Sequence, residues 1–189
     1  MKINGNEINP GFLIEHNGGL MRAVKVQHVK PGKGGAFAQV ELKDIRTCQK
    51  FNERFRSDEK VERIRLDQFT YQFLFADGDS YTFMNNDNYE QTTLDAELVG
   101  DHQIPYLEDG MAVEIELYGE EVIGVKIPEK LTCVIGEADA VVKGQTASSS
   151  YKPAKLENGI AILVPPHIET GTRVVINTTT GEYLERAKD

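Results

Sequence analysis

Strict alternation of apolar and polar positions marks two stretches of the chain. Val24 and Val26 fall on one face, and beyond a glycine-rich segment Ala38, Val40 and Leu42 alternate with Gln39, Glu41 and Lys43. A period of two is what a half-buried strand requires, so a long hairpin is expected on either side of that segment. The second alternation runs through Phe69, Tyr71, Phe73 and Phe75, turns at Asp77-Gly78-Asp79 and resumes at Tyr81 and Phe83. It predicts a second hairpin with an Asp-Gly turn. Between strands, Gln91 to Val99 predicts one short helix, with Thr92 or Thr93 as N-cap, Leu94 and Leu98 four apart, and Gly100 past its end.

Pro105, Gly110, Val113 and Ile115 recur 61 positions later as Pro166, Gly171, Val174 and Ile176. That spacing fits two consecutive barrels of about 60 residues, the size class of oligonucleotide-binding (OB) folds. With 17 glycines and seven prolines spread between short apolar runs, the expected class is all-β, in three units: 1–64, 65–128 and 129–189. Pro128, lacking an N–H, suits the end of a strand at the second boundary.

The net charge of −9 conceals an uneven distribution. Residues 1–64 carry 12 Lys and Arg against 8 Asp and Glu, residues 65–128 carry 2 against 14, and residues 129–189 carry 7 against 8. A basic first third suits phosphates, and the acidic middle does not. No apolar stretch approaches the ~18 residues of a membrane span, and the first residues lack an apolar export core, so a soluble cytoplasmic protein with no membrane partner is expected. Cys48 and Cys133 lack CxxC spacing and are expected to be buried and reduced. His16, His28, His102 and His167 share no ligand spacing. The Asp77, Asp79, Asn85 and Asp87 set lacks the distal Glu of a calcium loop. No metal, no small-molecule cofactor and no catalytic constellation is therefore expected.

The segment Lys30-Pro31-Gly32-Lys33-Gly34-Gly35-Ala36 is the least ordinary in the chain. Pro31 presets the first corner of a turn, and Gly32 can supply the positive φ that a type II turn needs at its second. Lys33 then falls at the tip, flanked by residues too small to shield its ammonium. A phosphate loop is excluded, because Gly34 stands where Ser or Thr would follow the lysine and no glycine lies five residues before Gly32.

KPGKGGAF running into AQVELKDI closely resembles the N-terminal hairpin of the bacterial elongation factor P family, which is homologous to the hypusine-bearing factor of eukaryotes and archaea. Phe83-Met84-Asn85, Tyr89-Glu90-Gln91 and Gly100-Asp101 resemble that family's second domain. Lys152-Pro153-Ala154, Gly159, Ile162, Val164-Pro165, Ile168, Gly171 and the Gly181-Glu182-Tyr183 tail with Arg186 resemble its third.

The resemblance implies a KOW-like barrel followed by two OB-type barrels in an L shaped like transfer RNA. It implies a monomer that binds the 70S ribosome between the P and E sites and relieves stalling at proline runs. Lys33 would then carry a covalent extension, β-lysyl or related, added by a separate lysine-modifying enzyme and aimed at the CCA end of P-site peptidyl-tRNA. Lys30, Lys43, Arg46, Arg54 and Arg56 are candidates for RNA-backbone contacts, as are Tyr183 and Arg186 near the end of the chain. Gly144, Gln145 and Thr146 stand where the family approaches the E-site codon of the mRNA. Gln145 replaces a common Asp, which keeps hydrogen-bonding capacity without the charge. His167 stands at a common aromatic position and is read as a packing substitution. A general single-strand binder built on OB folds is the alternative, disfavoured by the acidic middle and the absence of tryptophan.

Overall fold

The computed structural model describes residues 1–140 and 150–188. Among them the chain is nearly all β and divides into two compact units, Met1–Asp67 and Gln68–Asp189.

In the first unit β1 (Lys2–Asn4), β2 (Leu13–His16), β3 (Gly19–Val29), β4 (Phe37–Asp44), β5 (Lys50–Arg56) and β6 (Lys60–Ile64) form one sheet in the order β1-β6-β2-β3-β4-β5. Ala38, Val40 and Leu42 are fully buried, as their alternation requires. The sheet curls until its ends meet at Gly5, whose N–H donates to the Glu59 carbonyl at 2.8 Å. A Cβ on Gly5 would stand 2.2 Å from the Arg56 carbonyl oxygen, so only glycine permits this approach.

Val24 departs from the expected pattern. The β3–β4 register slips between Ala23 and Lys25, so Val24 is the extra residue of a β-bulge and 42% exposed, while Ala23 takes the core position. A bulge flips the inside–outside sense of the strand, which simple alternation cannot anticipate.

The second unit holds two five-stranded sheets of identical connectivity. One comprises β7 (Asp67–Asp77), β8 (Ser80–Asn85), β9 (Gln91–Asp95), β10 (Ala112–Tyr118) and β11 (Glu121–Lys126). The other comprises β12 (Lys130–Ala138), β13 (Lys152–Leu156), β14 (Ala161–Val164), β15 (Arg173–Asn177) and β16 (Glu182–Arg186). In each, the first strand is central, flanked by the second and third on one side and the fourth and fifth on the other, the OB arrangement. The 61-residue repeat is structural. Gly110 and Gly171 have φ of 82° and 86°, their N–H groups bond the Phe73 and Ile135 carbonyls, and Val113, Ile115, Val174 and Ile176 are all core.

The β7–β8 hairpin turns on Gly78, whose φ of 58° suits a tight two-residue connection. Tyr71, Phe73, Tyr81 and Phe83 are buried, whereas a register shift after Phe73 leaves Phe75 exposed. Residues 91–95, expected to be helical, are strand β9. Thr92 and Thr93 pair with Phe83 and Thr82, and the Thr82 and Thr93 hydroxyls lie 3.1 Å apart. β-Branched threonines favour this pleated setting over a helix. The helix shrinks to one turn, α1 (Ala96–Val99), whose N-cap is Asp95; its carboxylate accepts from the Leu98 N–H at 2.9 Å. Gly100 ends it as expected, at φ 93°.

The expectation of two buried thiols is corrected. Cys48 is exposed, in a turn where its φ is 60°, and Cys133 is half-buried. The β4–β5 connection is tight enough to impose the left-handed conformation on a residue otherwise common in cores.

Candidate nucleic-acid interface

The pairing of Val29 with Phe37 closes the β3–β4 ladder and leaves residues 30–36 as the loop. Ala36 is tied down, its carbonyl accepting from the Ser57 N–H at 3.1 Å. Residues 31–35 are all exposed, and no hydrogen bond joins them to the rest of the described chain. Lys33 stands at this end with no carboxylate of the described residues paired to it. A Cβ added to Gly32, Gly34 or Gly35 would meet nothing within 4 Å. The tip is open on every side.

The turn differs from the expected type II. Gly32 does not adopt positive φ; Gly34, the residue after Lys33, does, at 107°. The left-handed step follows the lysine rather than preceding it, and Gly34 is the position in the loop that demands glycine.

Cross-strand register gathers the remaining basic residues. Core positions Ala38, Val40 and Leu42 face inward, so their neighbours in β4 and the residues directly opposite them share the outer face. The rows across β3, β4 and β5 are Val29–Phe37–Arg56, Gln27–Gln39–Arg54, Lys25–Glu41–Asn52 and Arg22–Lys43–Lys50. This face carries six cations and one carboxylate, and that carboxylate, on Glu41, is held by Lys50 at 3.0 Å. Arg54 lies over the Phe37 ring with its Cζ 4.1 Å from the centroid, which fixes the guanidinium near the loop.

Of the sequence candidates, Lys30, Arg54 and Arg56 lie at the Lys33 end. Lys43 is six residues along β4, about 20 Å away, and Arg46 lies beyond it in the next turn. The Arg46 and Thr47 N–H groups donate to the Asp44 carboxylate at 2.8 and 3.0 Å. Those bonds, chiefly that from Thr47, hold the carboxyl below its usual range. Sequence reasoning missed Arg22, Lys25 and Lys50, because only the register places them on the same face.

In the last barrel Tyr183 is half-buried opposite Ile176, and burial raises its hydroxyl pKa. Arg186 is exposed opposite Val174 on β16, an edge strand. Tyr151, another residue the sequence did not single out, meets the Tyr183 ring edge-on at 6.2 Å. His167 is exposed, so its expected packing role is corrected. Gly144, Gln145 and Thr146 lie outside the described residues.

Three family models match the chain in order: the elongation factor P KOW-like domain over residues 4–61, the elongation factor P OB domain over 66–125, and the elongation factor P C-terminal domain over 131–186. Elongation factor P of Zymomonas mobilis is 56% identical over 187 residues, covering 99% of this chain and 100% of its own. That of Roseobacter denitrificans is 55% identical over 186 residues, 98% of this chain and 99% of its own. Among solved structures, eukaryotic translation initiation factor 5A from Methanococcus jannaschii is 28% identical, with a TM-score of 0.53 over 68% of this chain and 92% of its own.

Proposed function

The chain belongs to the elongation factor P family of translation elongation factors, and from that premise we propose that it orients P-site peptidyl-tRNA on ribosomes stalled at proline runs. In this reading it acts as a cytoplasmic monomer, binds the 70S ribosome between the P and E sites, and brings Lys33 to the CCA end.

The observation that carries it is the exposed Lys33, flanked by glycines with open space around them, at the end of a sheet face bearing six cations. Proline's ring restricts both the attacking nitrogen and the nascent chain, so productive geometry is sampled rarely. Correct placement of two reacting groups is worth up to ~7–11 kcal/mol in favourable intramolecular models, so a small part of that suffices. The chain then needs no acid, base or nucleophile of its own, and it is not an enzyme. A cationic tip bonds phosphate or sugar oxygens, while Lys30, Arg54 and Arg56 hold the RNA backbone. The open loop also gives a lysine-modifying enzyme access to Nζ. A β-lysyl or related extension there adds reach and donors without enlarging the hairpin. In this reading Gly144, Gln145 and Thr146 approach the E-site codon of the mRNA.

The test is reconstituted translation of a proline-run reporter with wild-type protein and Lys33→Ala. Rescue by wild type and its loss in the variant, at unchanged melting temperature, are expected. Equal rescue by both overturns the assignment.

A further inference from the structure

A groove of about 560 Å³ opens on the last barrel, walled by Tyr151, Pro153, Leu163, Glu182 and Tyr183. It lies where the second and third strands of that barrel, β13 and β14, meet the start of the fifth, β16. On OB folds the second and third strands and the loop before the fifth form the surface on which single-stranded nucleic acid is bound. The volume is in the range of sites for small planar molecules.

The walls define the occupant. Tyr183 is half-buried and fixed by packing, whereas Tyr151 and Leu163 are 53% and 58% exposed, so the groove presents aromatic and apolar surface that the described residues leave uncovered. The two phenol rings stand at 88° to each other, which offers both a face and an edge to a flat partner. Glu182 lines the wall as an acceptor. It repels a phosphate, gains nothing from an aliphatic side chain, and suits the exocyclic or ring N–H donors of a base. Lys155 flanks the groove, directly opposite Ala161 of its lining, and supplies the cation for a neighbouring phosphate. Polarity therefore admits the base and holds the backbone outside.

We propose that this groove is a stacking site for one unpaired nucleobase of single-stranded RNA, with Tyr151 and Tyr183 as the platform, Leu163 as the apolar wall and Glu182 as the hydrogen-bond acceptor. The site is separate from Lys33 and does not depend on its role.

The test titrates the full chain into a fluorescein-labelled single-stranded hexaribonucleotide, followed by anisotropy, with amide chemical-shift mapping on the isotope-labelled protein. Shifts are expected at 151–155, 161–163 and 181–183. Tyr151→Ala and Leu163→Ser are both at exposed positions and should keep the wild-type melting temperature. Tyr151→Ala should weaken binding about tenfold, the size of one lost base–aromatic stack, while Tyr151→Phe stays within about twofold. A hexamer with its bases removed should lose at least as much as Tyr151→Ala. Equal binding of the abasic hexamer, indifference to Tyr151→Ala, or shifts confined to the outer face of β3–β5 would each overturn the assignment.

Discussion

Substituting alanine at each loop glycine separates torsional demand from steric demand. At Gly34 the φ of 107° lies where L-residues are strained, at a cost of about 1–3 kcal/mol. Gly32 and Gly35 do not adopt positive φ, and an added Cβ at any of the three touches nothing within 4 Å. The contrast between the variants is therefore purely torsional. Because residues 31–35 make no hydrogen bonds to the rest of the described chain, the loop of Gly34→Ala relaxes locally instead of unfolding the barrel. Its melting temperature should match wild type. The native loop geometry, however, becomes about 5- to 150-fold less populated. A partner that needs Lys33 where that geometry holds it meets the reduced population, so the concentration giving half-maximal rescue rises by the same factor. Titrating each variant into reconstituted proline-run translation, with circular dichroism melts alongside, measures both quantities. Gly34→Ala titrating like Gly32→Ala or Gly35→Ala would refute the torsional argument.

Glu116 is buried, with Lys126 Nζ at 2.5 Å and the Gln68 amide at 3.3 Å. Lys126→Ala should cost about 1–2 kcal/mol in urea unfolding, well below a fully buried pair because Lys126 is itself half exposed, and adding Glu116→Gln should recover part of it. Asp44 is held below the usual carboxylate range by the Thr47 and Arg46 N–H groups. A depressed folded pKa means its contribution is complete above the ordinary aspartate range and fades as pH falls through the folded value. Asp44→Asn should remove this component of acid destabilisation below about pH 4, read by melts across pH. The exposed Cys48 should react with a thiol reagent at neutral pH well before Cys133, whose thiol is pushed up by burial and then by Glu108; mass mapping of the first adduct checks the order.

Alternation revealed what alternation can encode. Ala38, Val40, Leu42, Phe73, Tyr81 and Phe83 are core, and the 61-residue repeat marks equivalent strands of two barrels. Val24 and Phe75 sit at register shifts, where one inserted residue inverts the pattern, whereas Phe69, expected on the same face as Tyr71 and Phe73, is exposed near the start of β7. Gln91–Asp95 failed because Leu94 and Leu98 satisfy a helical period that cross-strand pairing with β8 overrides. The Lys33 loop was legible in composition, since small residues expose a long one. The torsion at Gly34 was not, because three glycines in one loop are interchangeable until the backbone is traced. Arg22, Lys25 and Lys50 were invisible as site residues for the same reason: which residues of successive strands share one face is set by register, including the bulge at Val24. Tyr151 and Tyr183 likewise meet only in the fold.

Placement of the loop tip is open to direct measurement. Lys33→Cys, in a chain where Cys48→Asn removes the exposed thiol and suits its φ of 60°, can carry a short photo-crosslinker in place of the lysyl extension. Half-buried Cys133 would be spared by brief labelling. On ribosomes stalled at a proline run, irradiation should join residue 33 to the 3′-terminal nucleotides of the P-site peptidyl-tRNA. Crosslinks to other RNA only, or none on ribosomes that bind the labelled protein, would contradict the account.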